Sequence, residues 1–149
     1  MSIHEVKYKK NIIVLGCSGG GKTTYIKHYA EEYYKTFGRN IYLISPSSEY
    51  DNINYITKIP MTENIIDNIR ISDLENSLVI IEDIILSDFK NYKLCSIVSE
   101  ICTLGRFYNV SCIVSVRANT LYNGSFPIRQ LHEFNECIKL PEQRLNLDS

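Results

Sequence analysis

The stretch Asn11–Ile26, NIIVLGCSGGGKTTYI, runs from an apolar segment through a glycine cluster into Lys22, Thr23 and Thr24. It fits the pattern G-x-x-x-x-G-K-[ST] at every fixed position, from Gly16 to Gly21, Lys22 and Thr23. A loop that wraps a phosphate must turn successive backbone N–H groups inward, and glycines take the required dihedrals with no side chain in the way. A helix opening at Lys22 adds unpaired N–H groups and the positive end of its dipole. Gly16, Ser18, Gly19, Gly20, Gly21, Lys22, Thr23 and Thr24 are therefore the candidate phosphate-binding set. Lys22 is expected at the β- and γ-phosphates, the Thr23 hydroxyl at a Mg²⁺ position and Thr24 at the α-phosphate. A turn serving only chain reversal needs neither the lysine nor the threonine. Cys17 and Ser18 fill variable positions of the pattern.

The context agrees on both sides. Residues 11–16, 40–45, 77–82 and 109–116 are short apolar runs rich in β-branched residues and without strict alternation, as buried parallel strands are. A fifth run, 136–140, is expected to close the sheet's edge. Between them, Ile26, Tyr29, Ala30, Tyr33 and Phe37 recur at helical spacing, and Gly38 supplies a stop. A second stripe, Leu94, Ile97, Val98, Ile101 and Leu104, is predicted to start at a Ser87 cap and end at Gly105. Residues 62–76 predict a short helix and a turn at SDLE with capping-box spacing. Strands alternating with helices give an α/β fold, a mostly parallel sheet of about five strands with helices on both faces. Ligands in such sheets gather at the carboxyl ends of the strands.

The chain has 149 residues, 44% hydrophobic and 22% charged, which suits one globular domain with a short extension at 1–9 and a tail at 141–149. A net charge of −1 gives no support for strong, unaided binding to nucleic acid. No apolar run approaches the roughly 20 residues of a membrane span, and MSIHEVKYKKN has no signal-like apolar core. The five cysteines form no C-x-x-C pair, and are read as reduced, buried and intracellular. His4, His28 and His132 stand apart, so no zinc site is expected.

A phosphate loop needs a carboxylate for the metal and a group to orient the attacking water. LVIIED offers Glu82 and Asp83 at the end of a buried strand, where two acids are costly unless a cation or donors meet them. Successive strand residues face opposite ways, so the two acids take different roles. By position, Glu82 stands at the metal and Asp83 at the catalytic base. A shift of one residue would put Asp83 on the metal, and the residues alone leave both open. In LGRFYNVSCIVSVRANT, Arg106 follows Gly105 and Arg117 ends the next strand. Either arginine is a candidate for stabilising transferring phosphoryl charge.

Together GCSGGGKTT, YLISPSSEYD, LVIIED, GRFYNVSCIVSVR, PIRQL and ECIKL resemble the FtsK/HerA superfamily of DNA-pumping ATPases, and most of all the genome-packaging ATPases of large double-stranded DNA viruses and their small relatives. The likeness spans about residues 10 to 140. Its more specific parts are Ser45-Pro46 at the exit of the second strand and the Gly-Arg, Asn and Ser run at 105–111. The resemblance implies a RecA-like sheet with a strand inserted between the loop strand and the acidic strand. It implies ATP hydrolysis with Mg²⁺ by a homo-oligomeric ring acting on double-stranded DNA, with a capsid protein as partner, in the host cytoplasm, a viral factory or the virion. It places Lys22, Glu82, Asp83 and Arg106 in catalysis, and Thr23, Glu82 and Asp83 at the metal, with Arg106 as a finger toward the next subunit. Arg117 joins the catalytic candidates by its own position at the strand end. DNA contact is expected through loops at Lys90–Lys93 and Arg117–Arg129. The sequence departs from that family in three ways. Arg117 stands where glutamine is usual, the acids come in Glu-Asp order, and the chain is short, so flanking elements are expected to be reduced.

Two other function classes share the phosphate loop. A small nucleoside or nucleotide kinase would need an arginine-rich lid, and NTLYNGSFPIRQ carries only Arg129 after Arg117. A nucleotide-binding fragment without turnover is the third reading, which the Arg117 and Glu-Asp departures keep open.

Overall fold

The computed structural model of the chain describes residues 10–16, 21–60, 62–82, 92–117 and 134–140. Strand β1 (Ile12–Gly16) leads across the glycine loop to helix α1 (Lys22–Phe37). Then come β2 (Asn40–Ile44), β3 (Ile56–Lys58), a short helix α2 (Glu63–Asn68) and a 3₁₀ turn at Ile71–Leu74. Strand β4 (Ser77–Ile81), helix α3 (Tyr92–Tyr108), β5 (Val110–Arg117) and β6 (Glu136–Lys139) complete the order.

Six strands form one sheet in the order β3-β2-β4-β5-β1-β6, and every pairing among them is parallel. The expectation of about five strands misses β3. Its three residues, Ile56–Lys58, are half-buried or exposed at the edge, so they carry too little apolar signal to read as a strand. Strand β5 lies between β1 and β4, with Ile12 opposite Ile113 on one side and Ser77 opposite Val110 on the other.

The strands lack alternation in sequence because both faces of the sheet are covered. Ile12, Val14, Leu78, Ile80 and Ile113 pack against Ile26, Tyr29, Ala30 and Tyr33 of α1. Ile13, Leu15, Val79, Ile81, Cys112, Val114 and Val116 pack against Leu94, Ile97, Val98 and Ile101 of α3. Each such buried aliphatic side chain contributes about 1.5–3 kcal/mol relative to exposure. Leu104, expected in the α3 stripe, is exposed, since the buried stripe runs on from Ile101 through Gly105 to Tyr108 instead.

Helix α1 ends as the sequence indicates. Gly38 takes the left-handed conformation (φ 63°) and its N–H donates to the Tyr34 carbonyl at 2.8 Å. Helix α3 does not end at Gly105 but runs on to Tyr108, and Asn109 (φ 58°) is the left-handed residue that stops it. Gly105 serves close approach instead. A Cβ there would sit 2.5 Å from the Val110 carbonyl oxygen. Asn109 is clasped to Asn76 (φ 57°), which opens β4, through an Nδ2–Oδ1 bond of 2.9 Å. The SDLE turn is the 3₁₀ segment, but its reciprocal bonds lie earlier than the SDLE spacing implies. Arg70 N–H donates to Asp73 Oδ2 at 3.0 Å, and Asp73 N–H to the Arg70 carbonyl at 2.9 Å. The Ser87 cap lies outside the described residues. Of the described cysteines, Cys112 is buried, Cys102 half-buried and Cys137 exposed, contrary to the expectation that all are buried. No described helix is long and apolar enough to cross a membrane.

Candidate functional site

The site is built at the carboxyl ends of β1 and β4. Gly16 closes β1 and is buried, and Gly21, at φ 91°, takes a backbone conformation that only glycine adopts cheaply. Helix α1 starts at once, with its first bond running from the Tyr25 N–H to the Gly21 carbonyl at 3.0 Å. Its first turn carries no acid. Helix geometry leaves the N–H groups of that turn without acceptors inside the helix, at the positive end of 16 residues. Lys22 is buried and folds back over Gly16, where a Cβ would lie 3.3 Å from the lysine Cγ. Glycine at 16 leaves room for the lysine stem to lie along the loop's base.

Thr23 and Glu82 are the residues the fold brings together. The Thr23 hydroxyl donates to Glu82 Oε1 at 2.6 Å. Strand periodicity explains why Glu82 is the acid that meets it. Leu78 and Ile80 face α1, and period two puts the next even residue on that same side. The Glu82 N–H extends the ladder by donating to the Ile44 carbonyl at 3.0 Å, which fixes the backbone just beyond β4. Glu82 is 5% exposed, and its second oxygen, Oε2, is buried without a hydrogen-bond partner among the described residues. An acceptor so placed is short of a donor or a cation.

A third residue, Tyr50, stands at this pair, and the sequence reading did not single it out. It is 2% exposed, and its hydroxyl is buried with no partner at hydrogen-bond geometry among the described residues. Its ionisation is pushed well above the ordinary tyrosine range, first by burial and then by the neighbouring Glu82 carboxylate, with Thr23 opposing. The turn after β2 delivers it. Ser45 Oγ accepts from the Ser47 N–H at 3.1 Å, and Ser47 Oγ from the Glu49 N–H at 3.1 Å. Lys58 Nζ donates to the Ser47 carbonyl at 2.9 Å. The Ser45-Pro46 exit was a legible signal, whereas one tyrosine among eleven was not.

Arg117 closes β5 with its backbone in register with Gly16, at the phosphate-loop end of the sheet. Arg106 is exposed on the last turn of α3, which feeds the opposite, amino end of β5. Its guanidinium carbon lies 5.0 Å from the Phe107 ring centroid, and it does not join Lys22, Thr23 and Glu82. Thr24 is exposed on α1 beside them. Ser18, Gly19, Gly20, Asp83, Lys90 and the segment 118–129 lie outside the described residues.

No three His, Cys, Asp or Glu side chains converge on a metal position among the described residues. Mg²⁺ does not need such a cage, because it is commonly held by one or two carboxylates together with substrate phosphates and water. A threonine hydroxyl paired with a buried carboxylate that has a spare oxygen fits that kind of site.

No family model matches the sequence, and no curated protein matches it. Among solved structures, one described as an ATPase superposes over 92% of this chain and 67% of its own, with a TM-score of 0.60 and 14% identity. That likeness is one of fold. The chain is an α/β protein with a parallel six-stranded sheet flanked by helices, and it shares the general fold of an ATPase. A parallel sheet flanked by helices in this way is consistent with a general P-loop or Rossmann-like nucleotide-binding fold.

Proposed function

We propose that the chain binds ATP with Mg²⁺ and hydrolyses it, and that it works as a subunit of a double-stranded DNA translocase that packages a viral genome. The observation that carries the ATPase reading is the 2.6 Å bond between Thr23 and Glu82 at the mouth of the glycine loop. In this reading the loop N–H groups and Lys22 hold the phosphates, and Thr23 and Glu82 hold the metal. A bound Mg²⁺ would draw charge from the phosphate oxygens as the terminal phosphoryl group leaves. Asp83, on the opposite parity from Glu82, is the base that orients water. Arg117 stands at the γ-phosphate.

The translocase part rests on the resemblance to the FtsK/HerA superfamily, supported by β5 lying between β1 and β4 as that RecA-like arrangement requires. The position of Arg106 favours action on a neighbour. It is exposed beside Leu104 and Phe107, far from its own chain's loop, as a residue reaching into the next subunit of a ring would be.

The test is ATP turnover by the purified chain with and without duplex DNA, alongside particle mass in nucleotide. The expected result is DNA-stimulated hydrolysis by an oligomer, abolished by Lys22→Ala. A chain that stays monomeric with ATP and duplex DNA and shows no stimulation is not a translocase. Transfer of phosphate to a nucleoside or nucleoside monophosphate would make it a kinase. Binding without turnover would leave a nucleotide switch.

A further inference from the structure

Two buried oxygens at this site have no partner at hydrogen-bond geometry among the described residues, and they belong to neighbouring side chains: the Tyr50 hydroxyl and Glu82 Oε2. Leaving both unmade in a closed site costs free energy that one bond between them would recover. A hydroxyl rotates to suit an acceptor, and a carboxylate only accepts, so the direction of the bond is fixed by chemistry. We propose that Tyr50 is a positioning residue for Glu82, donating its hydroxyl to Oε2 and holding the carboxylate in the orientation that faces Thr23.

The surroundings suit that task. The Tyr50 ring lies in the same core cluster as Ile26, Ile41, Leu43 and Ile80, so the hydroxyl is carried on a buried body. Lys27 Nζ stands 5.4 Å from the ring centroid, on the next turn of the helix that Thr23 opens. The backbone behind it is tied down by the Ser45 and Ser47 turns and by Lys58, which also lies 3.6 Å from Asp51. Thr23 has one hydroxyl proton to give. When that hydroxyl turns its oxygen lone pairs to a cation, its hold on Oε1 is altered, and a second donor keeps the carboxylate in place. Groups that orient a metal-side ligand typically govern metal affinity by about 10–100-fold.

The inference rests on the Mg²⁺–ATP reading for its consequence, but the Tyr50–Glu82 contact itself is testable without nucleotide. The full chain and the variants Tyr50→Phe, Glu82→Met and the double variant are unfolded in urea with EDTA present. A coupling of about fivefold or more in the unfolding constant is expected, and additive effects overturn the proposal. Phenylalanine keeps the ring, so loss of packing does not mimic the result. In the second arm, binding of a fluorescent ATP analogue is titrated with Mg²⁺. Tyr50→Phe is expected to raise the Mg²⁺ concentration for half-saturation about tenfold, while leaving metal-free analogue binding within about twofold of the parent chain. An unchanged Mg²⁺ requirement, or the same shift on the Glu82→Met background, overturns it. If the parent chain binds no analogue with or without Mg²⁺, the ATP reading fails, and the urea cycle alone decides whether Tyr50 holds Glu82.

Discussion

Replacing Glu82 by glutamine separates what the buried carboxylate does for the fold from what it does for a ligand. The residue is 5% exposed, with one oxygen held by Thr23 at 2.6 Å and the other facing the Tyr50 hydroxyl proposed to hold it. Removing a carboxylate from water to that depth costs several kcal/mol after relaxation. The Thr23 bond returns about 1.5–3 kcal/mol as a bond to a charged acceptor. Glutamine keeps an acceptor for Thr23 at about 1 kcal/mol, adds an amide that can donate to the Tyr50 hydroxyl, and removes most of the desolvation cost. The chain without ligand is therefore expected to gain roughly 1–2 kcal/mol, a midpoint shift of about 3–6 °C for a chain of this size. Metal-dependent binding moves the other way, with the Mg²⁺ requirement for ATP binding rising about 10–100-fold, because a neutral oxygen is a poor partner for the ion. Thermal unfolding in EDTA and an Mg²⁺ titration of ATP binding measure the two effects on one sample. If Glu82→Gln lowers stability by 1 kcal/mol or more and leaves the Mg²⁺ requirement unchanged, the reasoning is refuted. The carboxylate would then be a structural ion balanced inside the protein.

Gly105→Ala should destabilise the chain by about 1–2 kcal/mol in urea unfolding. The methyl group's clash with the Val110 carbonyl outweighs the helix-propensity gain of about 1 kcal/mol, because that carbonyl starts a strand paired on both sides. On α3, Ile101→Ala should cost about 2–5 kcal/mol, whereas Phe107→Ala should stay within about 0.5 kcal/mol, since Ile101 is 1% and Phe107 70% exposed. Burial raises the Tyr33 hydroxyl above its ordinary value, so the folded state stays neutral where the unfolded chain ionises. Its contribution is complete below about pH 10 and is lost as pH rises beyond that, so a stability profile from pH 8 to 12 should fall less steeply in Tyr33→Phe.

The sheet and the two long helices were legible because both are written locally. Four β-branched runs, two amphipathic stripes and the spacing from Gly16 to Thr23 each lie within a few residues of chain. The helix stop at Asn109 was not legible, because Gly105 offered the stronger local signal while its role is set by a contact with Val110 across the turn. Glu82 was legible as an acid ending a buried strand, while its neighbour Asp83 lies outside the described residues. Which of them faces α1 follows from the strand's phase, which sequence alone left open by one residue. Tyr50 was invisible for a different reason. It reaches Glu82 from another strand's exit, and neither its type nor its neighbours mark it.

The clasp of Asn76 and Asn109 bears on that phase. These two residues start β4 and β5 together, with the Asn76 N–H bonded to the Tyr108 carbonyl and the Ser77 N–H to the Asn109 carbonyl. They lie roughly 17 Å from Glu82, five residues of strand away. A slip of one residue there would rotate Glu82 away from Thr23 and bring its neighbour round. The clasp works as an indexing pin: set at the base of the sheet, it decides at the top which acid meets the threonine.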